Sequence, residues 1–238
     1  MRRYILYVLL NVFFIVGCNK EIVSLPQEGY LSISSIEVKS QAISNVASRA
    51  VDEDLTVDLY KGEQFVRTLT AEEMQSKIKL VPATDYKLKV YSANYGQDVN
   101  WTNEMSGEPV YYKEEPFQVK EGETTALKVQ VPMCNYAVSL ALPEGFEKWM
   151  TYTFEVTSGA RTVTLQDGDT VYFPVSALGS PFSYKLKLTN TDSESFDLTG
   201  TWGDTEGETV EMNTVYVITY SMEYNALKVS LYPPPGNH

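Results

Sequence analysis

The chain has 238 residues, with 31 acidic side chains against 19 basic ones and a formal net charge of −12. A surface of that sign repels a phosphate backbone, so nucleic acid is excluded as a partner. The single histidine, His238, is the last residue and leaves no imidazole pair for acid–base work or metal ligation, while 17 tyrosines among Val, Thr and Leu favour strands over helices.

Arg2 and Arg3 precede an apolar run over residues 4–16, shorter than the ~20 residues a spanning helix needs. Ile15-Val16-Gly17-Cys18 closes the run and reads as a bacterial lipobox. On that reading residues 1–17 are a lipoprotein signal peptide, the Cys18 thiol carries lipid, and the chain is cut just before it. Several acyl chains, each CH₂ contributing ~0.8 kcal/mol, hold such a protein on its membrane. Residues 18–28 form a polar tether.

Short alternating runs follow. In "YLSISSIEVK" (30–39) Leu31 and Ile33 share one face, but Ile36 and Val38 fall on the other. The phase slips at Ser34-Ser35, which predicts either a β-bulge or a strand that crosses between sheets. A small-residue connection (43–54) carries Arg49. "DLTVDLYKG" (54–62) and "DYKLKVYSA" (85–93) alternate as half-buried strands, and "AEEMQSK" (71–77) gives one or two helical turns. "TALKVQVP" (125–132) ends at a proline that cannot donate to a ladder. "TLQDGDTVYF" (164–173) predicts a β-hairpin with Asp-Gly at its tip.

Two echoes suggest duplication. "YKLK" occurs at 86–89 and 184–187, and "ALKV" at 126–129 and 226–229, in the same order and at nearly one offset. The expected fold is all-β: two tandem transthyretin- or immunoglobulin-like β-sandwiches over 29–132 and 133–233, then a tail over 234–238.

No cluster points to catalysis or to a cofactor. "EGE" (121–123), "DGD" (167–169) and "EGE" (206–208) sit in turn contexts, where these residues serve the local backbone. Asp197, Asp204, Glu206 and Glu208 lack the spacing of a calcium loop and read as a solvated loop, so no metal site is expected. "NWT" (100–102) spells an acceptor for eukaryotic glycosylation, for which a bacterial lipoprotein has no use. Trp101, Tyr111 and Tyr112 share one long connection; Trp101 and Trp202 are the candidate glycan contacts, against the plainer reading of packing. Cys134 is expected to be a buried, chemically quiet thiol.

In order and spacing, several stretches resemble the Bacteroidetes lipoproteins that carry a domain of unknown function related to fimbrillins. These are the Cys18 lipobox, "GYLSI", "SRA" (48–50), "DLTVDLYKGEQ" (54–64), "LVPATDYKLKVYSAN" (80–94), "PVYYKEEPFQV" (109–119) and a Cys-Asn before "YAVSLALPEGF" (136–146). The match runs through residues 18–175. The resemblance implies two transthyretin-like sandwiches, no enzymatic activity, and an outer-membrane, lipid-anchored protein displayed on the cell surface. It implies a role in adhesion or as a pilus accessory, tip or anchor subunit, with fimbrillin-like subunits or host and glycan ligands as partners. It further implies cleavage between Arg49 and Ala50, which would free the first strand so that a partner strand could take its place. "PPPGNH" follows the last strand directly, so no spare segment for polymerisation is expected. The alternative is a carbohydrate-binding surface lipoprotein of a glycan-uptake system.

Overall fold

The structure is a computed structural model that describes residues 27–39, 55–175, 179, 181–223 and 226–232. Cys18, Arg49 and Ala50 lie outside the described residues, as do the signal peptide and most of the tether.

The fold is all-β, with fifteen strands among the described residues and one α-helical turn. β1 (Gly29–Lys39) lies between β4 (Lys77–Leu80), antiparallel to it, and β7 (Thr124–Pro132), parallel to it. Facing them is a four-stranded sheet in the order β3-β2-β5-β6. It is built from β2 (Thr56–Lys61), β3 (Gln64–Thr68), β5 (Ala83–Tyr91) and β6 (Tyr112–Val119). One core fills the space between the two sheets: Leu31, Val57, Leu59, Ile78, Tyr86, Leu88, Val90, Phe117, Val129 and Val131 are all buried in it. The single-turn helix α1 (Ala71–Met74) carries a full capping box between Thr70 and Glu73.

The phase slip in β1 is a bulge. Ile33 pairs with Leu127 and Ser35 with Lys128, so Ser34 is left out of the ladder, and its hydroxyl donates to Leu127 O at 2.7 Å. Beyond it Ile36 and Val38 return to the core face with Ile33. The strand stays in one sheet, so the crossover alternative does not apply.

The same path is repeated downstream. β8 (Asn135–Ala141) lies between antiparallel β11 (Thr170–Pro174) and parallel β14 (Thr214–Glu223). The opposing sheet runs β10-β9-β12-β13, from β9 (Met150–Ser158), β10 (Arg161–Leu165), β12 (Phe182–Asn190) and β13 (Ser195–Trp202). A second core, with Tyr136, Phe154, Phe173, Phe182, Leu186 and Ile218, fills this pair. β15 (Ala226–Tyr232) extends the β11-β8-β14 sheet, where β7 has no such neighbour among the described residues.

Two expectations need correcting. The "YKLK" copies fall on equivalent strands, β5 and β12, but the "ALKV" copies fall on β7 and on β15, which has no counterpart upstream. That second echo is coincidence, since Ala-Leu-Lys-Val suits any half-buried strand. The Asp-Gly turn is no hairpin either, because β10 and β11 belong to different sheets. Of its two central residues only Gly168 has positive φ, whereas a two-residue type I′ hairpin needs both. The turn instead caps β8: Gly168 N–H donates to Leu140 O at 3.0 Å, and Asp167 Oδ1 accepts from Leu142 N–H at 2.7 Å.

Deleting Ser34 should turn Ile36 and Val38 to solvent. We expect a loss of about 2–4 kcal/mol in the urea unfolding of the first core. An unchanged midpoint would show that the bulge does not set the register.

Candidate functional site

Among the described residues no group of three or more His, Cys, Asp or Glu is placed to hold an ion. Asp197 pairs with Lys185 at 2.6 Å, and Glu208 accepts from Gly203 N–H at 3.2 Å. Two regions remain in which side chains converge, a seam between the cores and the outer face of the β3-β2-β5-β6 sheet.

The seam is closed by the long connection between β5 and β6. Arg161, at the start of β10, donates from Nε to Thr102 O at 2.9 Å, from Nη1 to Tyr172 O and from Nη2 to Met105 O. Its guanidinium lies over the rings of Phe173 and Trp101, 4.8 and 5.5 Å from their centroids. Asn103 Oδ1 accepts from Thr162 N–H at 3.1 Å, and Ser106 O accepts from Tyr172 N–H at 2.8 Å, so the connection also covers the β11 edge. Gly107 is obligatory, because a Cβ there would sit 2.7 Å from the Trp101 ring. A hollow of about 530 Å³ beside this clasp is lined by Asp98, Trp101, Asn103, Arg161, Phe173 and Pro181.

Asn135 and Asn213 fasten the seam on its other side. Asn135 is fully buried; its Oδ1 accepts from Val110 N–H at 3.1 Å, and its Nδ2 donates to Glu108 O at 2.9 Å. Asn213, in the left-handed region at φ 59°, donates its N–H to Asn135 O and accepts from Met133 N–H. Cys134, between them, is half-buried rather than buried, and burial pushes its thiol up to about 11.

The outer face of β2, β5 and β6 carries the second group. The register aligns Phe65, Tyr60, Lys87 and Pro116 in one row, Thr68, Asp58, Lys89 and Glu114 in the next, and Tyr91 with Tyr112 in a third. Asp58, only 8% exposed, accepts from the Thr68 hydroxyl at 2.6 Å and the Tyr91 hydroxyl at 2.9 Å. The Tyr112 hydroxyl donates to Glu114 at 2.7 Å and, with the Lys89 ammonium at 3.1 Å, holds that carboxyl below its ordinary range. Burial and the adjacent Glu114 push the Tyr112 phenol up. Tyr95 stacks on Tyr112 at 4.3 Å with the rings 5° from parallel, and Lys89 lies over Tyr60 at 4.7 Å.

The two candidate tryptophans have separate settings. Trp101 belongs to the seam, engaged by Gly107 and Arg161, and lines the hollow; Trp202, at the end of β13, packs against the second core beside Tyr216 and does not line it. Tyr111 is buried in the first core, while Tyr112 faces outward. Sequence reasoning missed Arg161, Asn135 and the Tyr60–Tyr91–Tyr95 group. Alternation could have signalled the last, since Tyr60 and Tyr91 occupy the outward phase of their strands.

The profile of the family described as "Domain of unknown function (DUF4493)" matches residues 27–230, most of the chain and well past residue 175, where the sequence resemblance ended. The chain belongs to this family. No curated protein matches it. Among solved structures it resembles the tip fimbrial protein Mfa3 of Porphyromonas gingivalis, crystallised with a C-terminal truncation (10% identity, 75% of this chain and 92% of that one, TM-score 0.44). It also resembles a candidate cell adhesion protein of Bacteroides uniformis (12%, 87% and 98%, TM-score 0.47) and a candidate polysaccharide-binding protein of Bacteroides thetaiotaomicron (11%, 87% and 98%, TM-score 0.34). At such scores the likenesses carry no argument about function. No helix among the described residues is long and apolar enough to cross a membrane.

Replacing Asn135 with Leu orphans the Val110 N–H and the Glu108 carbonyl, and should cost about 2–4 kcal/mol in denaturant unfolding. A cost under half that would mean the seam repacks without it. Because a raised thiol pKa keeps Cys134 neutral through pH 9, iodoacetamide at pH 8 should alkylate it in the folded protein over tenfold more slowly than in urea. Equal rates would contradict the shielding.

Proposed function

We propose that this is a non-enzymatic, fimbrillin-like surface protein of the outer membrane, anchored by lipid on Cys18. It acts in cell adhesion or as an accessory, tip or anchor subunit of a pilus, through two sandwiches divided at 132/133. The observation that carries the reading is the place of β1. Among the described residues this strand alone links β4 and β7, so its departure would leave a slot with an unpaired ladder on both sides. The connection that holds Arg49 and Ala50 follows it directly in sequence, which suits release by one cut and replacement by a strand from another subunit.

Energetics restrict how this can happen. Leu31 is fully buried, and Ile33, Ile36 and Val38 pack on the same core, each contributing up to ~1.5–3 kcal/mol. Their sum is comparable with the whole stability of a domain. A cut chain therefore keeps β1 docked until a partner strand displaces it.

Mass spectrometry of the native N-terminus should find acylated Cys18 with residues 1–17 gone, and Cys18→Ala should leave the membrane fraction. Limited trypsin digestion should cut first at Arg49 and leave the short β1 peptide bound to a folded remainder. Retention of Cys18→Ala on membranes after salt washing would sink the anchor. Resistance of Arg49 while other basic sites are cut would sink strand release.

A further inference from the structure

We propose that the outer face of the β3-β2-β5-β6 sheet is a binding platform for an extended, neutral oligosaccharide, with Tyr95 and Phe65 as its exposed stacking rings. The proposal does not depend on strand exchange, since β2, β3, β5 and β6 stay in place whether or not β1 leaves.

The molecule contains its own control. The equivalent outer face of the β10-β9-β12-β13 sheet has rows of Thr162, Thr157, Ser183 and Thr201, then Thr164, Glu155, Lys185 and Thr199, with no ring in either. The fold therefore does not require aromatic residues on this side. Yet in the first half Phe65 is 51% exposed and Tyr95 43%, with Tyr60, Tyr91 and Tyr112 beside them. Among the described residues Trp149 and Phe196, the exposed rings of the second half, stand in no ring pair, whereas here Phe65 meets Tyr60, and Tyr95 meets Tyr91 and Tyr112. Scattered exposed rings are ordinary, but a contiguous cluster left in solvent calls for a ligand.

The rings are also fixed in place. The Tyr91 hydroxyl is tied to Asp58 and the Tyr112 hydroxyl to Glu114, Tyr95 lies flat on Tyr112, and Tyr60 is held edge-on to Phe65 under Lys89. A platform with its rotamers already set loses little entropy on binding. Two aromatic zones, Phe65–Tyr60 and Tyr91–Tyr95–Tyr112, stand four strand residues apart, roughly 14 Å at the usual rise. That gap suits a few linked sugar rings.

The charged groups between the rings select the chemistry. Lys87 pairs with Glu63 at 3.0 Å and Lys89 with Glu114 at 3.1 Å, while the Asp58 carboxylate keeps its charge and accepts from two hydroxyls. Both ammonium groups are thus paired and the unpaired charge is an acid, so the platform offers no attraction for an anionic chain. A hydrophobic peptide anchor would strip water from Asp58, Lys89 and Glu114 and replace none of their hydrogen bonds. A saccharide presents apolar CH faces to the rings and hydroxyls to the carboxylates and ammonium groups, and so satisfies both.

Isothermal calorimetry of the full chain against cellohexaose, xylohexaose, mannohexaose, laminarihexaose and maltohexaose, with oligogalacturonate as the charged comparator, tests the proposal. We expect at least one neutral chain to bind, oligogalacturonate not to, and Tyr95→Ala to weaken affinity at least tenfold. Phe65→Ala, also at an exposed ring, should weaken it several-fold and serves as the second variant should Tyr95→Ala lose its cooperative melting transition. The proposal is overturned if none of the five neutral chains binds, if only oligogalacturonate binds, or if binding survives both substitutions.

Discussion

The first half of this protein depends on β1, a central strand that no local turn supplies with partners. Its antiparallel neighbour is β4 and its parallel neighbour is β7, so every ladder bond it makes spans a long stretch of chain. Parallel pairing at such separation is slow to form, because the entropy of closing the intervening chain must be met first. One inserted residue, Ser34, decides whether Ile36 and Val38 reach the core. A strand so central, so reliant on distant partners and so near the N-terminus is the natural element for a strand-release mechanism to use.

The two halves repeat one topology but solve the sheet-edge problem differently. In the second half β15 extends the β11-β8-β14 sheet beyond β14, and β13 turns Phe196 and Leu198 toward the core side. In the first half the corresponding positions on β6 are Lys113 and Glu115, 3.7 Å apart, beside an open groove with Lys128 and Gln130. Charged groups at an unpaired edge discourage stray strand addition. The edge of β7 that has no neighbour among the described residues is guarded, whereas the slot that β1 occupies is lined by apolar side chains.

Between the halves, backbone atoms rather than ion pairs provide most of the fastening. Arg161 binds three carbonyls and two rings, and its half-buried guanidinium has its affinity for the proton lowered by desolvation. A guanidinium suits this place because its planar fork reaches several carbonyls at once. Trp101 is thereby drawn into seam packing, while Tyr95 and Phe65 with the outward tyrosines of the first half form a clustered exposed aromatic surface.

Period and punctuation in the sequence were enough to establish the all-β class, the alternating faces of β2 and β5, the slip in β1, the close of β7 at Pro132 and a short helical piece within 71–77, where Ala71–Met74 forms one turn. These are local properties, set by side-chain alternation and by residues that fix φ or remove a donor. The partners of each strand were not legible. Asp167-Gly168 looks the same in a hairpin as in a turn between sheets, and Ala-Leu-Lys-Val fits β7 as well as β15. Nor could the sequence separate Tyr111, buried in the core, from Tyr112, which faces out beside Tyr95, because only the register across β5 and β6 assigns each ring a side. Arg161 and Asn135 were silent for the same reason: their partners lie from 11 to 59 and from 25 to 27 residues away, and a hydrogen bond at that distance leaves no periodic trace in the chain.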